Sequence, residues 1–221
     1  MLDKKLEISK NTIYKFVFGW IATNCYIVKN NNDIVIIDPS AADKKEQREL
    51  IDFLKSLNGN LRYIVNTHGH FDHIAGNATV KKAFPDAKIV IHKADREMLT
   101  SSKKNGSRKF GLKVISPDCD EELKDEDKIY FGDTYLYVIH TPGHTEGSIC
   151  LKGKGIIFTG DTLFAGTVGT TKEYKNAFNK MIKTIKEKIL TLGDDYIILP
   201  GHMENSTIKE EKTRNPFLIT Y

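Results

Sequence analysis

From Thr67 to His73 the chain reads Thr, His, Gly, His, Phe, Asp, His. Three of its seven histidines and one aspartate thus fall within six positions, directly behind the apolar run Tyr63, Ile64, Val65. Imidazole and carboxylate together are the donors that borderline divalent metals such as zinc take. A folded chain has few other uses for them at this density. The run Tyr63 to Val65 predicts a buried strand ending near Asn66, and in an extended continuation His68 and His70, two apart, point the same way. Gly69 allows close backbone approach, and a turn after Phe71 brings Asp72 and His73 round to a second centre. One motif carries donors for two metals.

A chain of 221 residues is long enough to bury a large core and needs no accessory module, so one domain over residues 1–221 is expected. Hydrophobic and charged shares of 40% and 28% are ordinary for a globular protein, and no apolar run approaches the ~18 residues of a membrane span. The first residues, Met1 to Glu7, mix charges of both signs and lack the apolar core of a signal peptide, which makes the cytoplasm the expected compartment. Cys25, Cys119 and Cys150 are odd in number and widely separated, with no Cys-x-x-Cys spacing, so they read as free thiols. The net charge of +4 is spread along the chain, which argues against a nucleic-acid partner. One basic cluster, Lys103, Lys104, Arg108 and Lys109, lies in a Ser, Asn and Gly-containing stretch. It reads first as a solvated loop and second as an electropositive rim for an anionic substrate. Nothing in the sequence specifies an oligomeric state.

Tyr26 to Val28 and Ile34 to Ile37, separated by three asparagines, predict a hairpin that ends at Asp38 and Pro39. Leu50, Ile51, Leu54 and Leu57 have helical spacing in a helix over Glu46–Leu57, stopped by Asn58 and Gly59. Further helices are expected over His73–Phe84, Asn176–Leu192 and Thr207–Arg214. Strands are expected over Ile89–Ile91, Tyr135–Ile139, Ser148–Leu151, Ile156–Thr159 and Tyr196–Leu199. Residues 101–127 have little periodicity and read as irregular. Helices and strands without strict alternation predict α+β layers.

Three later segments repeat one arrangement, an apolar strand followed by a glycine turn and then a donor. Tyr137 to Ile139 lead through Pro142 and Gly143 to His144, Ile156 to Phe158 through Gly160 to Asp161, and Ile197 to Leu199 through Pro200 and Gly201 to His202. Strand ends on one edge of the sheets are where loops converge on a site. Alone, each would read as an ordinary turn or a hydrogen-bonded histidine.

Taken in order, His-x-His-x-Asp-His, a later His, a Gly-Asp and a final Gly-His resemble the metallo-β-lactamase superfamily over essentially the whole chain. The phrases Thr141 to Thr145 and Gly160 to Phe164 look most like its glyoxalase II-like hydrolases. The resemblance implies an αββα sandwich, two mixed sheets flanked by helices. It implies one metal on His68, His70 and His144 and a second on Asp72, His73 and His202, with Asp161 bridging. The implied cofactors are two divalent ions, zinc foremost, with iron or manganese as alternatives. Such a pair lowers the pKa of a shared water to about 7, and the bridging hydroxide attacks a carbonyl. Asp72 is placed to orient that hydroxide, as ligand or as general base.

The implied substrate is a small ester or thioester of the hydroxyacylglutathione type. Two features depart from that pattern. The larger glyoxalase II enzymes carry a C-terminal helical domain that contributes to glutathione binding, whereas a short tail follows His202 here. Relatives also carry a basic residue soon after Gly-Asp, where this chain has Gly169, Thr170 and Thr171, with Lys172 next. A lactonase or other small-ester hydrolase is one alternative. A persulfide dioxygenase, with one iron on residues matching His68, His144 and Asp161, is another. His92 reads as a strand-end residue with a solvent or backbone hydrogen bond. His140, four before His144, stands open between structure and support of that ligand. Asn24 falls in a phrase similar to one near the site in this superfamily.

Overall fold

A computed structural model of the chain describes residues 2–171 and 176–219. The first half builds a seven-stranded sheet from β1 (Leu2–Ile8), β2 (Asn11–Phe18), β3 (Thr23–Asn30), β4 (Asp33–Ile37), β5 (Asn60–Val65), β6 (Lys88–His92) and β7 (Glu121–Leu123), in that spatial order. The strands are antiparallel from β1 to β4 and parallel from β4 to β7. The second half contributes β8 (Lys128–Phe131), β9 (Thr134–His140), β10 (Ile149–Gly153) and β11 (Ile156–Gly160), a small hairpin of β12 (Leu163–Phe164) and β13 (Thr167–Val168), and then β14 (Ile197–Pro200) and β15 (Ser206–Thr207). Its main sheet runs β15-β14-β11-β10-β9-β8, and its one parallel pair is β11 with β14.

The alternation of side chains along each strand explains the layering. Val28, Val35, Val65 and Val90 of the first sheet meet Val138, Leu151, Phe158 and Leu199 of the second in the central core. The intervening Ile27, Ile36, Ile64 and Ile89 face the other way, onto Leu50 and Leu54 of α1 (Lys44–Ser56) and Val80. On the far side, Ile139, Cys150, Ile157 and Ile198 pack against Met181, Ile182, Ile185 and Ile189. Central strands with both faces covered read as continuous apolar runs, which is what Ile34–Ile37 and Ile156–Phe158 are. The expected α+β sandwich, with two mixed sheets flanked by helices, is therefore the observed fold.

Several elements differ from the sequence expectation. The helix expected over His73–Phe84 is two, α2 (Phe71–Ile74) and α3 (Asn77–Ala83). They part because Gly76 N donates to Pro39 O at 2.6 Å, which pulls the chain onto the end of the preceding loop. After the short helix α4 (Arg96–Leu99), the irregular stretch contains a 3₁₀ turn at Ser107–Phe110 and the edge strand β7. The helix expected over Asn176–Leu192 is α5 (Ala177–Thr184) continued by a π turn at Ile185–Ile189. Helices α6 (Ile208–Arg214) and α7 (Pro216–Ile219) follow β15. Strands β1 and β2 were not foreseen, since β1 is largely exposed and lacks an apolar alternation. None of the described helices is long and apolar enough to cross a membrane.

Candidate metal centre

Each donor named from the sequence follows the C-terminal end of a strand. His68 and His70 lie in the loop after β5, Asp72 and His73 in α2, His144 after β9, Asp161 after β11 and His202 after β14. The turn expected after Phe71 begins one residue earlier, as α2 itself, with His70 at its cap. All seven converge. Among the described residues, one donor set is His68, His70 and His144, and another is Asp72, His73 and His202, with the ligand atoms of each set within 4.8 Å of one another.

In the first set His68 Nε2 lies 3.1 Å from His70 Nδ1, which is 2.8 Å from His144 Nε2. In the second, His202 Nε2 is 3.3 Å from both His73 Nε2 and Asp72 Oδ2, and His73 Nε2 is 3.4 Å from Asp72 Oδ2. A tetrahedral ion with bonds of about 2.1 Å holds its donors roughly 3.4 Å apart, so the second set has that spacing and the first is slightly tighter. Asp161 lies between them, with Oδ2 at 3.3 Å from His144 Nε2 and 3.5 Å from His202 Nε2. Its Oδ1 is buried and makes no hydrogen bond among the described residues, though His73 Nε2 stands 3.4 Å away. A buried carboxylate oxygen left this way normally belongs to an ion or another strong partner.

The outward ring nitrogens are committed elsewhere. His68 Nδ1 meets Thr67 Oγ1 at 3.2 Å, His73 Nδ1 donates to Asp38 Oδ2 at 2.9 Å, His144 Nδ1 to the carbonyl of Thr170 at 2.9 Å, and His202 Nδ1 to that of Ala22 at 3.3 Å. Such partners fix the tautomer and leave Nε2 facing inward as a lone-pair donor, as metal-ligating histidines require. The donor chemistry, its spacing and the orphaned oxygen all fit a pair of divalent ions.

The two sets differ electrostatically. Burial, reinforced by the neighbouring imidazoles, pushes His68 well below the ordinary histidine value, and burial likewise lowers His144. Burial also acts against charge on His73 and His202, but the carboxylates outweigh it. Asp72, Asp161 and Asp38 raise His73 well above its ordinary value, while Asp161 and Asp72 bring His202 to about 9. Burial would raise Asp72, yet His73 and His202 hold it down at about 2.

A model of the metallo-β-lactamase superfamily matches residues 18–202, a span that contains every one of these donors. The chain belongs to the metallo-β-lactamase superfamily. Hydroxyacylglutathione hydrolase GloC of Haemophilus influenzae is 34% identical over 204 residues, covering 88% of this chain and 92% of that protein. Among solved structures, the B3 metallo-β-lactamase BLEG-1 has a TM-score of 0.85 at 30% identity, covering 93% of this chain and 99% of the other. TTHA1623 in a di-iron-bound form has a TM-score of 0.81 at 26% identity, covering 92% and 99%.

Around these donors of the superfamily fold stand residues that the motif reading missed. Asp38, buried and with φ of 50°, accepts from Thr67 N at 2.8 Å and Thr67 Oγ1 at 2.6 Å as well as from His73. The signal was present, because Asp38 ends the apolar strand Ile34–Ile37 as Asp161 follows Ile156–Phe158. Asp95, also buried, accepts from Gly69 N at 3.0 Å, Gly147 N at 2.8 Å and Thr145 Oγ1 at 2.6 Å, which ties the His68–His70 loop to the His144 loop. Nothing in its local sequence marks it. Gly69 is close-packed as expected, for a Cβ there would fall on Met98.

Asn24 donates to the carbonyls of Pro200 and Met203 at 2.8 and 3.0 Å and so holds the His202 loop. Thr23 Oγ1 donates to Asp72 Oδ2 at 2.8 Å. His140 contacts the carbonyl of Glu146 at 2.8 Å, bracing the turn that delivers His144. His92 is buried rather than solvated, accepts from Ala94 N, and stacks on His140 with centroids 4.1 Å apart. Lys172 lies outside the described residues.

Proposed function

We propose that this chain is a metal-dependent hydrolase that opens the ester or thioester bond of a small-molecule substrate at a two-metal centre. His68, His70 and His144 would hold one ion, Asp72, His73 and His202 the other, and Asp161 would bridge them. The observation that carries this reading is the placement of Asp161, whose Oδ2 stands between His144 and His202 of the two sets. Two divalent ions bound there supply a water acidified to a pKa of about 7 and a Lewis acid for the scissile carbonyl.

The chain's own residues supply orientation and charge. With a hydroxyl, a carboxylate and two backbone carbonyls against their outer nitrogens, the imidazoles of His68, His73, His144 and His202 present fixed lone pairs, and Asp161 and Asp72 offset the charge of the ions. A carboxylate held near 2 is a weak proton acceptor at neutral pH. This favours Asp72 as a ligand that orients the nucleophile over Asp72 as the general base. A donor set of only nitrogen and oxygen suits zinc and is shared by iron and manganese. The mononuclear-iron dioxygenase reading leaves the set Asp72, His73 and His202 without a role.

GloC supports a hydroxyacylglutathione-type thioester, and BLEG-1 makes β-lactams a necessary comparison. The test is metal analysis of the purified protein coupled to a panel of thioesters, esters, lactones, β-lactams and glutathione persulfide under zinc, manganese and iron loading. Two equivalents of metal with turnover of esters or thioesters are expected. Less than one equivalent of any transition metal, or oxygen uptake on the persulfide with a single iron, overturns the reading.

A further inference from the structure

Beside the metal centre, on the side of Asp72, the surface is apolar. A groove is lined by Phe18, Trp20, Ile21, Phe71, Leu112 and Val114, and it reaches the polar Thr23, Ser40 and Asp72. One wall is the turn between β2 and β3, which carries Trp20. The other is the segment after α4, which contributes Leu112 and Val114, with Phe110 packed against Trp20 and Phe71 beside them. The walls touch. Trp20 and Phe110 meet edge to face with centroids 5.4 Å apart, and Phe110 reaches Phe71, the neighbour of Asp72, at 5.3 Å.

Both walls are fixed to the frame. The Trp20 turn is closed by Ala22 N donating to Gly19 O at 3.1 Å and is tied to α1 by Gly19 N donating to Glu46 Oε1 at 2.7 Å. The opposite segment is held by Phe71 N donating to Asn105 O at 3.1 Å, Asn105 Nδ2 to Val114 O at 2.9 Å and Ser116 N to Leu99 O at 2.8 Å. Yet Trp20 is 69% exposed, Phe110 55% and Leu112 42%. Large apolar side chains held in place and left open to water mark a binding surface.

We propose that this groove binds the apolar acyl chain of the substrate, making the preferred substrates esters or thioesters of medium-chain or aryl carboxylic acids. The inference rests on the hydrolase reading and specifies its substrate class. The occupant follows from what the groove reaches. An acyl chain lying along Trp20, Leu112 and Phe71 brings its carbonyl to Asp72 at the edge of the centre, whereas most amides of a polar peptide such as glutathione in the same place would lose water against apolar side chains. Each methylene moved from water onto the aromatic walls strengthens binding, by up to about fourfold when fully buried.

Trp20 is the chain's single tryptophan, so its emission reports on the groove directly. Metal-loaded protein is titrated with hexanoate and with acetate, and kcat/KM is measured for p-nitrophenyl and thioester substrates of two to eight acyl carbons. Hexanoate is expected to shift Trp20 emission to the blue and to saturate at least tenfold below acetate. In the wild type kcat/KM rises with chain length mainly through KM, and in Phe110→Ala and Trp20→Ala that dependence flattens. Tyr130→Ala, an exposed aromatic on β8, keeps it.

Hexanoate binding without turnover of any ester supports the groove and overturns the hydrolase. Turnover indifferent to chain length, with Trp20 emission unmoved, overturns the groove and leaves the hydrolase standing. A blue shift that grows with protein concentration alone, matched by a dimer in sedimentation, assigns the surface to a second copy and overturns the proposal. Both alanine variants remove exposed side chains, and circular dichroism on each excludes misfolding as the cause of a flattened profile.

Discussion

The carboxylate of Asp38 lies 2.9 Å from His73 Nδ1, and both side chains are almost wholly buried. The contact sets the ring angle of a donor in the second set, and the same carboxylate satisfies two groups of Thr67. Asp38→Asn keeps an acceptor but loses the charge, and metal affinity is expected to fall about 10- to 100-fold, as for other partners of ligating histidines. Asp38→Ala adds a stability loss of roughly 1–3 kcal/mol because Thr67 N is left buried without an acceptor. Chelator competition and thermal denaturation separate the two effects.

Asp161→Asn removes the anion between the two donor sets while conserving volume. Metal content is expected to drop from two equivalents to one and hydrolysis to fall at least about a hundredfold, the scale on which lost electrostatic stabilisation is felt. Plasma emission spectroscopy and initial rates read both. An unchanged rate would place the chemistry elsewhere.

Metal uptake should depend on pH differently at the two sets. His68 and His144 lie below the ordinary histidine value and are already neutral at pH 7. His202, at about 9, and His73, raised well above 6.5, hold protons that an incoming ion must displace. Affinity at the Asp72, His73, His202 set therefore rises with pH, by about tenfold or more per unit below 9, because each ligand deprotonated on binding contributes one proton to the linkage. His68 and His144 have no such proton to give up above pH 7, so uptake through them depends less on pH. At pH 7 the His68, His70, His144 set is expected to fill first; calorimetric zinc titrations in buffers of different ionisation enthalpy count the protons released, and release confined to the first equivalent bound would contradict that order.

Asp95 acts as a tie between loops. Asp95→Ala leaves the N–H groups of Gly69 and Gly147 without acceptors, at a cost of roughly 1–3 kcal/mol each. With a shift of about 2–4 °C per kcal/mol for a chain of this size, thermal denaturation is expected to show a drop on the order of 5–20 °C, and Asp95→Asn a smaller one. Metal loss should begin at the His68, His70, His144 set, visible as a lower chelator threshold.

His92 makes the fold sensitive to acid. Burial, then the charge of neighbouring His140 and Lys93, lowers it to about 4 against the partial attraction of Asp125 and Asp127. The unfolded chain binds this proton from about pH 6.5 downward while the folded chain resists it, so stability present above 6.5 declines as pH falls toward 4. His92→Asn keeps an acceptor for Ala94 N and removes the titration. Its melting temperature is expected to lose less than that of the wild type between pH 7 and 5.

The layers were legible because central strands covered on both faces must be apolar throughout, as Ile34–Ile37 and Ile156–Phe158 are. The seven converging donors were legible because each follows a strand end, usually through a glycine. What escaped was set by tertiary contact. The break at Gly76 depends on the Pro39 carbonyl arriving from another loop, and Asp95 gains its meaning from two backbone N–H groups far away in the chain. Strand β1 sits at an edge facing water, so no hydrophobic alternation announces it. The groove escaped because Trp20 and Phe110, ninety positions apart, carry no shared pattern until the fold joins them.

The centre draws His68, His70, Asp72 and His73 from the first sheet's side and His144, Asp161 and His202 from the second's. Neither half of the chain can assemble it alone. A slip of one layer against the other by an ångström would alter every donor spacing across the divide, so the site doubles as a gauge of how well the two halves are seated. Damage that loosens the sandwich should disperse the donors while most of the secondary structure still stands.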